Sequence, residues 1–130
     1  MTGTEGGKAM GLFSAHEIDP EEITQKYGAI LIAGEQVLTA FRTVRDTVFL
    51  TSLRFVVINV QGLTGAKVAV QSIPYRSIVR FSVETAGTFD LDADLNIWVS
   101  SAAVPIGVKI GRKSDTVAIQ KLLAEKVLGQ

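Results

Sequence analysis

Asp90, Asp92 and Asp94 stand at every second position of the stretch TFDLDADLNIWVS, Thr88 to Ser100. Carboxylates in such a row could ligate calcium, do acid–base work, or line the wet face of a strand. A calcium loop of the EF-hand kind starting at Asp90 needs Gly at its sixth position and Glu at its twelfth. Leu95 and Ser101 occupy those positions, so that reading fails. Strand alternation fits instead. Leu91, Ala93, Leu95, Ile97 and Val99 fall on one face, and Asp90, Asp92, Asp94, Asn96, Trp98 and Ser100 on the other.

Little other catalytic material is present. His16 is the single histidine and there is no cysteine, which excludes a multi-histidine metal site, thiolate chemistry and a disulfide framework. The segment GLTGAK, Gly62 to Lys67, lacks the spacing of a phosphate loop and reads as a hairpin turn. GRKSD, Gly111 to Asp115, puts Arg112 and Lys113 before a helix, where Ser114 or Asp115 serves as its cap. No cofactor or metal is expected, and the chain reads as non-enzymatic.

The elements that must position the aspartates come from hydrophobic period. With 130 residues, 47 % hydrophobic and 20 % charged, the chain suffices for one domain with its own core. Asp19 as N-cap, Pro20 at the first position and Glu22 three residues after the cap predict a helix from Pro20 to about Tyr27. Ile18 and Ile23 are spaced for a hydrophobic staple across its start. From Glu35 to Ile110 the period becomes two, in seven strand-like runs: QVLTAF, TVFLT, RFVVINV, KVAVQSI, SIVRFSV, DLDADLNIWV and PIGVKI. Their short connections require antiparallel neighbours. A closing helix over residues 115–128 carries Ile119, Leu122, Leu123 and Val127 on one stripe. The expected fold is mainly β, a split barrel of about seven antiparallel strands plugged by the C-terminal helix. Residues 1–17 read as a flexible leader, 18–33 as an N-terminal helical segment and 34–130 as the domain. The N-terminal helix either covers a sheet edge or barrel mouth, or its apolar run YGAILIAG packs between subunits.

In the preceding strand Val79, Phe81 and Val83 share a parity from which Ile78 departs, while Arg80, Ser82 and Glu84 form the polar set. With a hairpin turn at Ala86-Gly87, burying both apolar sets together restricts the register to those that place Arg80 opposite Asp92 or Asp94. One arginine cannot neutralise three carboxylates. Trp98 on their face adds an aromatic of the kind enriched at interfaces. The face is therefore expected to meet a surface offering arginines, such as Arg76 or Arg42, on a second copy.

The segment from Gly34 to about Gly111, with IPY at Ile73 to Tyr75, FSVETAG at Phe81 to Gly87 and FDLDADL after it, closely resembles the bacterial pleckstrin-homology-like (PH-like) domains, a family of unknown function. The closing IQKLLAEKVL matches as well. The resemblance implies two sheets capped by a helix, homo-oligomeric rings with pentamers among them, and no catalytic residues.

Thirteen basic residues balance thirteen acidic ones, so neither nucleic acid nor an anionic membrane surface is an expected partner. No apolar run is long enough for a transmembrane helix. The first fifteen residues lack a secretory signal pattern, so a cytoplasmic location is expected. A mean hydropathy of +0.31 is high for a small monomer and points to apolar surface covered by another copy or a partner. The expected role is a self-associating scaffold that binds proteins. The alternative is a small-ligand or lipid-headgroup module using the turn that holds Arg42 and Arg45. Two cations beside Asp46 make a poor trap for a polyphosphate.

Overall fold

The structure is a computed structural model and describes residues 16–42, 46–63, 67–85, 93–111 and 116–129. Among the described residues, eight strands form two antiparallel sheets. β1 (His16–Ile18), β2 (Val37–Arg42), β3 (Asp46–Thr51), β4 (Arg54–Gln61) and β5 (Lys67–Pro74) lie side by side in that order. β6 (Ile78–Glu84), β7 (Ala93–Val99) and β8 (Ile106–Ile110) make the second sheet. The helices are α1 (Pro20–Tyr27) and α2 (Thr116–Leu128).

The seven expected strands are present, with β1 as an eighth. It pairs with β2 from Ile18↔Ala40 to His16↔Arg42. Three residues are too few to show a period, which is why this strand, reaching into the stretch assigned to a leader, escaped the pattern. α1 has the expected bounds. Asp19 Oδ1 accepts from the Glu21 amide at 3.0 Å, Pro20 opens the helix, and Ile18 and Ile23 are buried together. The expected caps of α2, Ser114 and Asp115, lie outside the described residues.

The main core lies between the sheets. Phe41, Val48, Leu50, Phe55, Val57 and Ile73 enter it from the first sheet, and Ile78, Ala93, Leu95, Ile97, Val108 and Ile110 from the second. α2 seals it with Ile119 and Leu123, while Leu122 and Val127 pack partly buried at its margin. The helical stripe read from spacing is thus the buried one.

A second, smaller core covers the outer face of the five-stranded sheet. Ala40, Phe49, Val56 and Ile58 lie there under Ile18 and Ile23. β4 therefore buries alternate residues on both faces, which accounts for the unbroken apolar run FVVI. α1 lies on this outer face, packed against β2.

The register of β6 on β7 corrects one expectation. The parity is as argued, with Phe81 opposite Ile97 and Val83 opposite Leu95. Arg80, however, stands opposite Trp98, and Glu84 opposite Asp94. The hairpin is longer than a turn at Ala86-Gly87 would make it, so the strands pair further along. That turn itself lies outside the described residues. The parity break at Ile78 has a cause as well. The register shifts between Ile78 and Arg80, so a bulge turns Ile78 into the core and leaves Val79 65 % exposed.

Candidate functional site

Two groupings of polar side chains stand out, one internal and one on the surface. The internal one is built from residues far apart in sequence. A turn with the Glu35 amide donating to the Ile32 carbonyl at 3.0 Å places Gly34 at φ +82, the left-handed conformation a type II turn requires at that position. The turn directs the Glu35 carboxylate at β3 and β4. There Arg54 Nε donates to Glu35 Oε2 at 2.8 Å and Arg54 Nη2 to Oε1 at 3.0 Å, a bidentate pair. Thr51 Oγ1 donates to Oε2 at 2.6 Å, and the Ile32 amide to Oε1 at 3.0 Å. The rest of the guanidinium donates to the Ile30 carbonyl (2.6 Å) and to Ser72 Oγ (2.8 Å). Tyr75 completes the set, its hydroxyl donating to the Thr51 carbonyl at 2.6 Å.

Every polar group of this network meets a partner within the chain. The Arg54 guanidinium, with smaller help from Thr51 and the Ile32 amide, overcomes the opposing effect of burial and holds the Glu35 carboxyl down to about 2. Burial, reinforced by the charge of Glu35, pushes the Tyr75 hydroxyl up from its ordinary value. Neither group is poised for proton transfer near neutrality. The network is a structural tie.

Because the folded-state pKa of Glu35 lies below its unfolded value of 4.5, its contribution is complete above that value and is lost as pH falls towards about 2. Urea unfolding from about pH 6 down to pH 2.5 should therefore show wild-type stability falling by about 2–3 kcal/mol relative to Glu35→Gln. Parallel pH profiles for the two proteins would refute the assignment.

Beside Tyr75 an open cleft of about 330 Å³ is lined by Ser52, Leu53, Pro74 and Arg76 and by Glu125, Lys126 and Gly129 near the end of α2. Arg76 sits here, in the 3₁₀ turn Tyr75–Ser77 between the sheets.

The surface grouping lies on the outer face of β6, β7 and β8. Asp94, Asn96 and Trp98 point outward, half-buried, while Ala93, Leu95 and Ile97 point in, as the alternation predicted. The Arg80 guanidinium stacks over the Trp98 ring at 3.9 Å from its centroid. Lys109 Nζ donates to Asp94 Oδ1 at 2.9 Å across to β8. Asp94 and Trp98 thus share a face, at opposite ends of β7. Arg42 is elsewhere, on the five-stranded sheet, where its Nη2 meets Glu22 Oε2 at 2.7 Å. Asp90, Asp92 and Arg45 lie outside the described residues. Sequence reasoning missed Glu35, Thr51 and Lys109 as partners. Only Tyr75, in the word IPY, carried a signal.

Two antiparallel sheets around one core with a helix sealing them define a PH-like domain. The comparisons agree. The model of the bacterial PH domain family matches residues 8–127, so the chain belongs to that family. An uncharacterized Bacillus subtilis protein, YjqA, is 45% identical over 114 residues, 87% of this chain and 91% of the relative. The crystal structure of a DUF1696 family protein with a pleckstrin-homology domain from Shewanella loihica superposes with a TM-score of 0.79 at 40% identity, over 88% of this chain and 98% of that one. A pleckstrin homology domain from Shewanella amazonensis gives 0.69 at 43% identity, over 93% and 96% of the two chains. Among the described residues no helix is long and apolar enough to cross a membrane.

Proposed function

We propose that this chain self-associates head to tail into a ring-like homo-oligomer and acts, without catalysis, as a cytoplasmic scaffold for other proteins. The observation that carries the reading is the separation of unlike charge along the three-stranded sheet. Arg76 stands just before β6, beside the cleft, and Glu84 at the far end of β6 stands opposite Asp94. The seven residues of β6 put about 20 Å between those ends.

A closed ring requires each copy to present two different patches that fit one another, and a basic and an acidic end on one sheet meet that need. Trp98 under Arg80 lies nearer the basic end, where an aromatic and an arginine together suit an interface anchor. Arg42 lies on the other sheet, so Arg76 supplies the basic side of this contact, while Asp94 offers a carboxylate that its Lys109 pair leaves about half exposed. Repetition around a ring would turn weak protein contacts into an avid surface through effective concentration.

Light scattering behind size exclusion provides the test. Wild type is expected at a multiple of 13.9 kDa, more dissociated at high salt. Arg76→Glu or Asp94→Arg alone should weaken the contact by about tenfold or more, and the double reversal should recover much of the loss. A monomer at every concentration and salt would overturn the reading.

A further inference from the structure

The two cores are separate. No described residue before Val37 reaches the main core, and the outer core of Ala40, Phe49, Val56 and Ile58 is closed only by what lies over it. The cover consists of β1, α1 and the 3₁₀ turn Gly28–Ile30. It contributes Ile18 and Ile23, fully packed, with Tyr27, Ile30 and Leu31 at the margin. The Tyr27 ring stacks on Phe49 with centroids 6.0 Å apart.

Its attachments are few and differ in kind. Three residue pairs join β1 to β2. The Arg42–Glu22 ion pair is about half exposed at both partners and holds little in water. Beyond these, Ile32 bonds Glu35 through both its amide and its carbonyl, and Arg54 Nη2 reaches the Ile30 carbonyl while the same guanidinium grips Glu35. Glu35 and Gln36, just before β2, are held to the end of β3 and the turn that follows it. The Ser52 amide donates to the Gln36 carbonyl at 2.8 Å, and the Gln36 amide to Ser52 Oγ at 3.1 Å. Between this rooted pair and the cover lies Gly34, with φ +82 and nothing within 4 Å of where a Cβ would be. A glycine in open space beside an anchored pair is a natural pivot.

We infer that residues 16–33 form a strap that opens as a unit about Gly34, with Arg54 as its latch, while the two-sheet barrel stays folded. Opening bares the outer face of the five-stranded sheet. That face continues without interruption from Ala40, Phe49, Val56 and Ile58 onto Val70 and Val68, since Ile58 pairs with Val70 and Val60 with Val68. Val68 and Val70 are already exposed on the edge strand β5. The closed strap therefore limits how much apolar surface the domain presents, whether or not copies associate.

The absence of cysteine makes the test direct, because one introduced thiol reports one site. Val56 and Val48 are both buried valines on central strands. Val56 faces the strap and Val48 the main core. Labelling of Val56→Cys by a small thiol reagent is expected to run at least about tenfold faster than labelling of Val48→Cys. Its rate should depend only weakly on urea, whereas Val48→Cys should follow global unfolding. Adding Arg54→Met should speed Val56→Cys by about tenfold, and adding Arg42→Met by less than about twofold. Equal rates and urea dependences for the two thiols would make strap and barrel one cooperative unit and overturn the inference. An unchanged Val56→Cys rate with Arg54→Met would remove Arg54 as the latch. Should Arg54→Met fail to fold, the two thiols in the wild-type background still decide.

Discussion

Replacing Arg54 by Met is expected to lower the free energy of unfolding by about 3 kcal/mol at neutral pH. The Glu35 side chain is 0% exposed and the Arg54 side chain 21%. Met keeps the aliphatic stem, so the loss isolates the charge. The carboxylate would remain inside with only Thr51 and the Ile32 amide as donors. The Ile30 carbonyl would lose its 2.6 Å partner. Water entering along the partly exposed side of Arg54 keeps the cost below that of a sealed pair. Two comparisons make the number diagnostic. Arg54→Met with Glu35→Gln should be less destabilised than Arg54→Met alone, because no charge is then stranded. Arg42→Met, which breaks a half-exposed pair, should cost less than about 1 kcal/mol. Urea unfolding of the four proteins measures all of this. A double variant worse than Arg54→Met by the full cost of a second substitution would show that the charge was not what mattered.

Leu123→Ala is expected to destabilise by about 3 kcal/mol, lowering the melting temperature by roughly 10 °C. Leu123 is 0% exposed in the main core, and with Ile119 it is one of two fully buried anchors through which α2 closes the sheets. Truncation removes the transfer energy of the side chain and leaves a cavity among β-sheet side chains whose positions are set by ladders on both sides, so the site collapses poorly. Val117→Ala, on the exposed face of the same helix, should change stability by no more than about 0.5 kcal/mol. Thermal melts of both variants provide the check. A loss below about 1 kcal/mol for Leu123→Ala would mean that α2 rests on the barrel without sealing it.

The parts of the fold that were legible in the sequence are those where one residue's neighbours in the chain decide its environment. Asp19, Pro20 and the Ile18–Ile23 pair specify α1 within a few residues. The alternation in β7 separates Leu95 and Ile97 from Asp94, Asn96 and Trp98 wherever that strand ends up. The spacing of Ile119 and Leu123 selects the buried stripe of α2 before anything is known of what it meets. β1 was invisible because three residues have no period and its pairing with β2 is a tertiary contact.

The candidate site divides the same way. That Asp94 and Trp98 share an outer face follows from periodicity alone. That Arg80 lies over Trp98, and that Lys109 takes Asp94, depends on the length of a hairpin and on which strand comes third. The polar tie is the extreme case. Glu35, Thr51, Arg54 and Tyr75 are individually ordinary, and no spacing rule links a carboxylate to an arginine nineteen residues on. By itself the sequence determined the alternation of faces, the helix bounds, the antiparallel class and the exclusion of thiolate chemistry and a multi-histidine metal site. Those are properties of short-range covalent geometry and composition. Only the tertiary structure decided the register, the partners of each charge and the placing of α1 on the outer face. Those follow from burying side chains whose sequence separation carries no periodic trace.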